Sequence, residues 1–343
     1  MYDVVVVGSG VSGLTAALSA VARGLTVLVI EKSKWLGGIS AMSGGGVWVP
    51  VNKHARDAGI EDSTEKALAY LGNALPEWSV HEQARWKNMI SNAGSALEFI
   101  EANTSLRFEL TPEPDPISDA EGASYVGRMV TPKVLSKKLA GEYAGKIRSS
   151  TLPHIFTYNE MMDPNPYLHP FKTFWTHGFK LLGRIMRGER GQGTALITGL
   201  IEGCMRRKVN FYLDSRVKKL LIEDKKIVGV SIFRNGKEEK IIARRGVILA
   251  SGGFEWDHSL YKEYFPGSTE WLTSTRTNTG DGYYMAKQAG ADIRNMDQAN
   301  IHPALPTSYE GHLHGLPIAF HSAPHAIIVN KKGKRFISEY DYN

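Results

Sequence analysis

The chain has 343 residues, 42% hydrophobic and 22% charged, which is ordinary for a globular protein long enough for two domains. Its single cysteine, Cys204, excludes a disulfide framework and metal sites built from several thiolates, and it favours a cytoplasmic location. The net charge of +6 is scattered, and the densest basic stretch, residues 216–245, favours a solvated sheet face over a nucleic-acid site. No run approaches the ~18 apolar residues of a membrane span, so no transmembrane segment is expected.

The first forty residues have the pattern of a βαβ unit. A β-branched run at residues 4–7 predicts a buried parallel strand, residues 14–22 predict an alanine-rich helix, and residues 26–30 predict a second strand. The first strand and the helix are joined by Gly8-Ser9-Gly10-Val11-Ser12-Gly13, and Glu31 closes the second strand. This is the structural context that a dinucleotide-binding fingerprint requires.

Each residue of the fingerprint has a physical task. Gly8 permits the tight turn, Gly10 lets the backbone approach a pyrophosphate, and Gly13 allows close packing of helix on strand. The helix N-terminus offers N–H groups to phosphate, and Glu31 can accept hydrogen bonds from both ribose hydroxyls. A doubly wound domain without a nucleotide is the alternative, which is disfavoured because helix propensity alone would not place three glycines there.

A second glycine-rich segment favours FAD over NAD. An NAD domain normally continues from the acidic residue into another crossover helix, whereas here a glycine-rich loop follows. Such a loop can lie along the pyrophosphate and reach a flavin ring through backbone N–H groups. In this kind of fold the backbone of Val217, in a later strand, would lie near the adenine. The loop residues expected to bind FAD are Gly37, Gly38, Ser40, Ser43, Gly44, Gly45 and Gly46.

The rest of the chain alternates helical and strand patterns. Residues 64–102 and 191–206 have helical periodicity, residues 111–131 are typical of a loop, and residues 151–180 show no period that assigns them. We predict an α/β fold: a Rossmann-like FAD-binding domain with a parallel sheet plus β-meander, then the start of an inserted α+β substrate or catalytic domain. The meander strands are expected at residues 209–212, 217–223, 227–233 and 240–243, with a hairpin turn at Asn235-Gly236 and a buried strand at 247–250.

Several blocks of sequence resemble the fumarate-reductase-type flavoproteins, and within them the 3-ketosteroid 1-dehydrogenase branch. They lie at residues 37–50 with Asn52, 250–255, 277–282, 285–286, 290–291, 328–330 and 333–336 with Glu339. The glycine-rich block with Trp48 and Pro50 is the most particular to the steroid branch. The FAD-binding residues completed by this resemblance are Ser9, Lys32, Ala250, Ser251, Gly252, Gly253, Asn278 and Gly282. Related enzymes attach flavin to a histidine in the 37–46 loop, which has none here, so non-covalent FAD is expected.

The resemblance implies dehydrogenation of a ketosteroid-like, apolar carbonyl compound. Two hydrogens leave adjacent saturated carbons next to the ketone: a base takes one as a proton, flavin N5 takes the other as hydride, and a quinone-type acceptor receives the electrons. In steroid dehydrogenases a tyrosine soon after an Arg-Phe-x-x-Glu motif is the base, which requires a pKa below the usual value of about 10. Tyr342 is nearest to that position and Tyr340 is its rival, while an ordinary half-buried tyrosine is an equal alternative.

The chain also departs from both branches of the family. Steroid enzymes usually carry a tyrosine after a Pro-Asp pair, but here Pro116 follows Pro114-Asp115 and the nearest tyrosine is Tyr125. The fumarate-reductase branch uses a glutamate and an arginine where this chain has Ala-Phe-His-Ser at residues 319–322, which disfavours dicarboxylate reduction. His302-Pro303 resembles a substrate-contacting pair of that branch, although a histidine beside proline is more often structural.

The domain organisation and the alternatives follow from these blocks. No metal site is predicted, because four candidate histidines lack closely spaced carboxylate or cysteine partners: His312, His314, His321 and His325. We expect an FAD-binding domain at residues 1–281, with a helical insertion at 64–190, and the start of a substrate or catalytic domain at 282–343. Family members continue further, so the chain is expected to be a fragment. The alternative functions are a fumarate-reductase-like or ene reductase and a non-catalytic flavin-binding fragment.

Overall fold

The structure is a computed structural model that describes residues 1–265, 267, 271–317 and 326–336. The chain separates into two compact units, Met1–Gly252 and Gly253–Asn343. The described α-helices are α1 (Val11–Ala22), α2 (Lys53–Asp57), α3 (Thr64–Ala74), α4 (Pro76–Asn103), α5 (Tyr158–Met162), α6 (Pro170–Arg187), α7 (Gln192–Arg206), α8 (His258–Tyr264) and α9 (Asp281–Gln288), with 3-10 helices at Gly38–Ala41 and Lys137–Lys146. The strands are β1 (Tyr2–Val7), β2 (Val27–Ile30), β3 (Val47–Trp48), β4 (Phe108–Leu110), β5 (Met129–Pro132), β6 (Leu135–Ser136), β7 (Glu189–Arg190), β8 (Asn210–Tyr212), β9 (Arg216–Glu223), β10 (Lys226–Arg234), β11 (Lys237–Leu249), β12 (Ala304–Tyr309) and β13 (His312–Pro317).

The first unit is built on a six-stranded sheet with the order β8-β2-β1-β11-β10-β9. The strands from β8 to β11 run parallel, and Val5 of β1 pairs with Leu28 on one side and Val247 on the other. β10 and β9 extend the sheet in antiparallel register. Every residue of β2 is buried, as expected for a parallel strand covered on both faces. The predicted α/β fold with a parallel sheet and a β-meander is therefore confirmed.

Two details of the strand prediction are wrong. Residues 209–212 do not begin the meander, because the chain leaving α7 returns to the open edge of β2 and β8 pairs with it in parallel. The strands expected at 240–243 and 247–250 are one continuous strand, β11, which pairs first with β10 and then with β1. Gly246, with φ +150°, lies where the register with β1 shifts. The hairpin at Asn235 and Gly236 is confirmed, with both φ angles positive.

The central helix of the first unit is α7. All residues from Gln192 to Cys204 are buried, because α1 and the 3-10 helix at residues 137–146 pack against it. A Cβ at Gly199 would overlap the Leu106 side chain, so the segment after α4 packs directly on the helix backbone. The helix predicted at residues 191–206 is confirmed, and its N-terminus is held in a fixed position near the loop at 37–46.

The region between β3 and β5 is held together by the buried Arg128 side chain. Its guanidinium nitrogens contact Asp62 at 2.8 Å and Asp115 at 2.7 Å, and all three side chains are at most 4% exposed. Asp115 also accepts hydrogen bonds from Trp48 Nε1 and Ser124 N–H, both at 2.8 Å. Arg128 thus connects the long loop before β5 to the entrance of α3. Asp115 belongs to the Pro-Asp pair noted in the sequence, and here it has a structural role.

The second unit contains α8, α9 and the antiparallel hairpin of β12 and β13 among its described residues. Trp256 Nε1 donates to the Ser274 carbonyl at 3.1 Å, and His314 Nε2 lies 3.1 Å from the same carbonyl oxygen. These contacts join the segment before α8 to the hairpin. Across the described part of the chain, no helix is both long and apolar enough to cross a lipid bilayer.

We expect Arg128→Met to lower the free energy of unfolding by about 3–5 kcal/mol, because Asp62 and Asp115 would remain buried without their cation. Arg56→Met is the matched control, since the Arg56–Glu98 ion pair is exposed on both sides and such pairs contribute less than about 1 kcal/mol. Urea unfolding followed by circular dichroism measures both. Equal destabilisation by the two variants would contradict the role assigned to Arg128.

Candidate functional site

The turn between β1 and α1 brings three backbone segments into direct contact. Gly8 has φ +106°, and a Cβ there would overlap the carbonyl of Ala250 at the end of β11. A Cβ on Gly13 would overlap the carbonyl of Gly8. The Gly8 N–H donates to the Ile30 carbonyl, and the Ala250 N–H donates to the Val7 carbonyl, each at 2.8 Å. Only glycine fits at positions 8 and 13, so both are requirements of the packing itself.

Gly10 differs from these two glycines because the space beside it is open. Its φ of −67° and ψ of 177° suit any residue, and a Cβ there would come no closer than 3.6 Å to Ser40 Oγ. The Cβ position of Gly38, with φ +51°, is 3.9 Å from Gly10 Cα. Bare backbone of two glycines therefore lies beside the N-terminus of α1. This arrangement fits the pyrophosphate of a dinucleotide, which needs close backbone approach and the positive end of a helix.

The Glu31 carboxylate is oriented by the same turn. Its Oε2 accepts hydrogen bonds from Ser9 N–H at 3.1 Å and Ser9 Oγ at 2.7 Å, and its Oε1 accepts one from Ser33 N–H at 2.9 Å. Ser9 Oγ in turn accepts from Gly37 N–H at 3.0 Å, which connects the turn to the second glycine-rich loop. A carboxylate accepts roughly four hydrogen bonds, so binding both ribose hydroxyls would require Ser9 Oγ to turn away. Lys32 follows directly after this carboxylate.

The loop at residues 37–46 is fixed at both ends. Ser40 Oγ accepts from Val11 N–H at 3.2 Å, which ties the loop to the first turn of α1. Ser43 Oγ donates to the Ser40 carbonyl at 2.9 Å and accepts from Gly45 N–H at 3.2 Å. The Ser43 carbonyl accepts from Gly193 N–H at 3.0 Å, at the start of α7. The serines predicted to contact FAD therefore also shape the loop that would carry it.

His154 is a residue of this region that the sequence did not single out. It is 5% exposed, and its Nδ1 lies 2.9 Å from Thr194 Oγ1 and accepts from Thr194 N–H at 3.3 Å. Burial lowers the pKa of His154 to about 4, although a hydrogen bond with the Met42 backbone opposes the shift. A neutral imidazole thus joins the glycine-rich loop to the N-terminus of α7.

Tyr158 is a second residue that the sequence did not single out. Its ring lies 2.6 Å from the position that a Cβ on Gly44 would occupy, and 4.0 Å from that of Gly46. Its hydroxyl donates to Glu113 Oε1 at 3.2 Å, and burial raises the pKa of Glu113 above its usual value. The sequence does contain a local pattern that indicates a helix start here: Thr157 and Glu160 have the spacing of a capping box, which they form at the start of α5.

The remaining predicted FAD contacts lie at the start of β9, directly after β11 and in the second unit. Val217 is buried in β9 opposite Ile232, and Ser215 N–H, two residues earlier, donates to the Glu31 carbonyl at 3.0 Å. Ala250, Ser251 and Gly252, with φ +78° at Gly252, follow β11 and lead into the second unit.

In the second unit Asn278 is the most constrained of the predicted contacts. It is 7% exposed, and its Nδ2 donates to Glu255 Oε1 at 2.7 Å while its Oδ1 accepts from Thr275 Oγ1 at 3.3 Å. The Gly253 carbonyl accepts from Gly280 N–H at 3.1 Å. Gly282 is the second residue of α9. These contacts join residues 253–255 to residues 275–280.

The candidate catalytic residues are in very different settings. Tyr125 is 75% exposed in the loop before β5. His302 is partly buried, with its Nε2 3.2 Å from Thr273 Oγ1. Tyr340 and Tyr342, together with residues 319–322, lie outside the described residues. Among the residues that are described, no group of three histidine, cysteine, aspartate or glutamate side chains is arranged to hold a metal ion.

The family model described as an FAD binding domain matches residues 3–343. The chain belongs to this family. FAD is therefore the cofactor, as the two glycine-rich segments predicted. The open backbone at Gly10 and Gly38 is the feature of this structure that fits it.

Individual relatives place the chain within this family. It is 34% identical to the 4-oxocyclohexanecarboxylate 2-dehydrogenase of Sinomonas cyclohexanicum, over the whole chain and 60% of that protein. It is also 34% identical to a 3-oxosteroid 1-dehydrogenase of Mycobacterium tuberculosis, over 98% of the chain and 62% of that protein. The chain thus spans about three fifths of the length of these curated relatives.

Solved structures agree with this placement. The crystal structure of 3-ketosteroid delta1-dehydrogenase from Sterolibacterium denitrificans, in complex with 1,4-androstadiene-3,17-dione, matches 99% of the chain and 64% of that protein, with a TM-score of 0.89 and 33% identity. An open-conformation flavocytochrome c3 fumarate reductase has a TM-score of 0.69 over 98% of the chain and 48% of that protein, at 22% identity, and shares the fold. The resemblance to the ketosteroid dehydrogenase and fumarate reductase flavoproteins is confirmed.

We expect Gly10→Ala to fold normally and to lower FAD affinity at least about tenfold, because the added methyl group occupies the space that the pyrophosphate needs. Gly8→Ala is the comparison: its φ and the Ala250 carbonyl leave no room, so it should impair folding itself. Thermal unfolding without FAD and fluorescence titration with FAD separate the two effects. Unchanged FAD affinity in Gly10→Ala would contradict the assignment of the site.

We expect the stability of the protein to depend on His154 at acidic pH. With a folded-state pKa near 4 and a usual value of 6.5, the neutral form is favoured by folding. The contribution of neutral His154 to the free energy of unfolding is complete above pH 6.5. About 3 kcal/mol of that free energy is lost as the pH falls toward 4.

His154→Gln should therefore lose that much less stability than the parent protein over the same pH range, measured by urea unfolding at a series of pH values. His81→Gln, at an exposed position of α4, is the control for replacing a histidine by glutamine. Parallel curves for all three proteins would show that His154 does not stay neutral on folding.

Proposed function

We propose that the protein is an FAD-dependent dehydrogenase that introduces a C=C bond next to the ketone of a ketosteroid-like, apolar substrate. The observation that carries the proposal is the equal, 34% identity to a 3-oxosteroid 1-dehydrogenase and to a 4-oxocyclohexanecarboxylate 2-dehydrogenase. Both relatives are named as dehydrogenases of a cyclic oxo compound. We infer that the shared feature of their substrates, a saturated ring with a ketone, is also the feature that this protein recognises.

The chemistry divides between the cofactor and the chain. FAD, held without a covalent link by the glycine-rich segments at residues 8–13 and 37–46, would supply a hydride acceptor, and a quinone-type acceptor would receive the electrons. The chain must supply a base for the proton on the carbon beside the ketone. Proton transfer by a positioned side chain contributes roughly 10²–10⁴-fold in rate. We assign this role to Tyr342, with Tyr340 as the alternative, and assign no direct role to the exposed Tyr125.

The first domain of this enzyme supplies the binding and orientation of FAD. We propose that residues 1–281 form the FAD-binding domain and residues 282–343 the start of the substrate domain, with His302 near the substrate. Within the first unit, the geometry that supports the proposal is the pair of glycine-rich segments tied together by Ser9, Ser40 and Glu31.

A reductase of the fumarate reductase type is the second candidate, because a flavocytochrome c3 fumarate reductase shares the fold over 98% of the chain. Residues 319–322, Ala-Phe-His-Ser, lack the glutamate and arginine of that branch, and we therefore favour the dehydrogenase. If fumarate oxidised the reduced protein, the fumarate reductase type would become the favoured function and the dehydrogenase the second candidate.

The test is a visible spectrum of the FAD-loaded, full-length protein after anaerobic addition of a saturated 3-ketosteroid. We expect the flavin band to bleach, because the substrate delivers a hydride to the cofactor. Tyr342→Phe should keep the starting spectrum and slow bleaching roughly 10²–10⁴-fold, whereas Tyr340→Phe should change the rate only a few-fold.

Several outcomes distinguish the candidates. If 4-oxocyclohexanecarboxylate bleached the flavin band and the steroid did not, the proposed reaction would stand, but the proposed substrate would be a cyclohexanone carboxylate. A flavin band that dithionite bleaches, but neither ketone does, would rule out dehydrogenation of cyclic ketones. Equal rates for both tyrosine variants and the parent would remove the assignment of the base.

A further inference from the structure

Helix α6 is amphipathic, and its apolar face points away from the protein. At 100° per residue, its large apolar side chains fall within an arc of roughly 160°. Most are strongly exposed: Phe171 is 81%, Trp175 81% and Phe179 94% accessible to solvent. The other members of this face are Phe174, Leu181, Leu182, Ile185 and Met186.

The polar face of α6 packs on the protein. Arg184 is 2% exposed and forms two hydrogen bonds with the Glu160 carboxylate, at 2.6 and 2.9 Å. Lys180 Nζ donates to the same carboxylate at 2.7 Å, and Thr173 is buried beside the His169 carbonyl that it contacts. Burial alone would raise the pKa of Glu160, but these hydrogen bonds lower it to about 2. The ion pairs therefore fix the orientation of the helix with its apolar face outward.

This orientation is the reverse of the usual one. An amphipathic helix of a globular domain normally buries its apolar stripe and exposes its charges. A large exposed apolar patch marks a surface that contacts another molecule or a membrane. Tyr167 and Leu168, each about half exposed directly before α6, extend the patch beyond the helix.

The charge and composition of the helix favour a lipid surface as the occupant. α6 contains four basic residues and no acidic residue. The outward arc includes no charged side chain, and α6 has no acidic residue outside it that would repel an anionic surface. Lys172 and Arg187, both more than half exposed, lie outside the arc, although each also has an acidic partner, Asp163 and Glu189. Aromatic and leucine side chains on one face with cations on the other are typical of helices that lie in a bilayer interface.

Two segments beside the C-terminal end of α6 also carry basic residues, Lys137 after β6 and Arg190 in β7. The Lys137 N–H donates to the Gly188 carbonyl at 3.0 Å, and β6 pairs with β7, which contains Arg190. Burial, together with the charge of Arg190, lowers the pKa of Lys137. Two cations therefore lie close together beside the C-terminal end of the helix, where an anionic headgroup would stabilise both.

We propose that α6, with Tyr167 and Leu168, binds in the plane of an anionic lipid surface through its outward apolar face. The inference rests on the orientation of this helix and not on the proposed reaction. It assigns to the first unit a surface that would keep the protein beside a membrane.

The test is co-sedimentation of the full-length, FAD-loaded protein with phosphatidylcholine vesicles, with and without phosphatidylglycerol. We expect binding to the vesicles that contain phosphatidylglycerol and weaker binding as salt is added. Phe171→Ser combined with Phe179→Ser should lower the bound fraction at least about tenfold, because two phenylalanine rings that are exposed in the protein alone would no longer be buried in the lipid. The matched control is Ile222→Ser combined with Phe233→Ser, two half-exposed residues of β9 and β10, which should bind as the parent does.

Other outcomes would overturn the proposal. Absence of vesicle binding by the parent protein, or equal binding by both double variants, would show that this face does not contact lipid. A lower unfolding temperature of the Phe171 and Phe179 variant would show that the protein itself covers the face. Self-association of the parent without lipid, lost in that variant, would identify a second copy as the occupant.

Discussion

The structure of the first unit depends on the contact between the turn after β1 and the end of β11. The Gly8 backbone lies against the Ala250 carbonyl, and Gly13 lies against Gly8, with no space for a side chain at either glycine. This contact sets the direction of α1. The carboxyl ends of β1 and β2, the Glu31 carboxylate and the loop at residues 37–46 are arranged around the N-terminus of that helix. The backbone available to a dinucleotide is therefore a product of how three segments pack.

The site is supported by polar groups that differ in charge. Glu31 is oriented by Ser9, and Ser9 connects to the loop at residues 37–46. At the other end of that loop the support is a neutral, buried imidazole, His154. Further away, Arg128 is charged and paired with two buried aspartates. Each arrangement removes a conformational choice from a segment that is rich in glycine and would otherwise be costly to order.

The sequence predicted the fold and the cofactor because both depend on local patterns. The glycines at 8, 10 and 13, the acid at 31 and the second glycine-rich loop are adjacent in the chain, so their spacing is informative. His154 and Tyr158 were not found, because each acts on the loop from more than a hundred residues away. The strand at 209–212 was placed in the meander for a similar reason: its partner, β2, is distant in sequence. The candidate base at Tyr342 remains a prediction.

Helix α6 shows most directly what the sequence determines and what the tertiary structure determines. The sequence by itself determined only the order of apolar and polar side chains over residues 171–186, and it showed no period that assigned a helix there. Once the structure forms α6, 3.6 residues per turn place those side chains on one apolar and one polar face. Only the tertiary structure decided which face is buried. Glu160 is held by the capping box of α5 in a position where Arg184 and Lys180 reach it, and these charged hydrogen bonds turn the apolar side outward. A periodic pattern specifies two faces, but the neighbours that a helix meets decide which one meets the solvent.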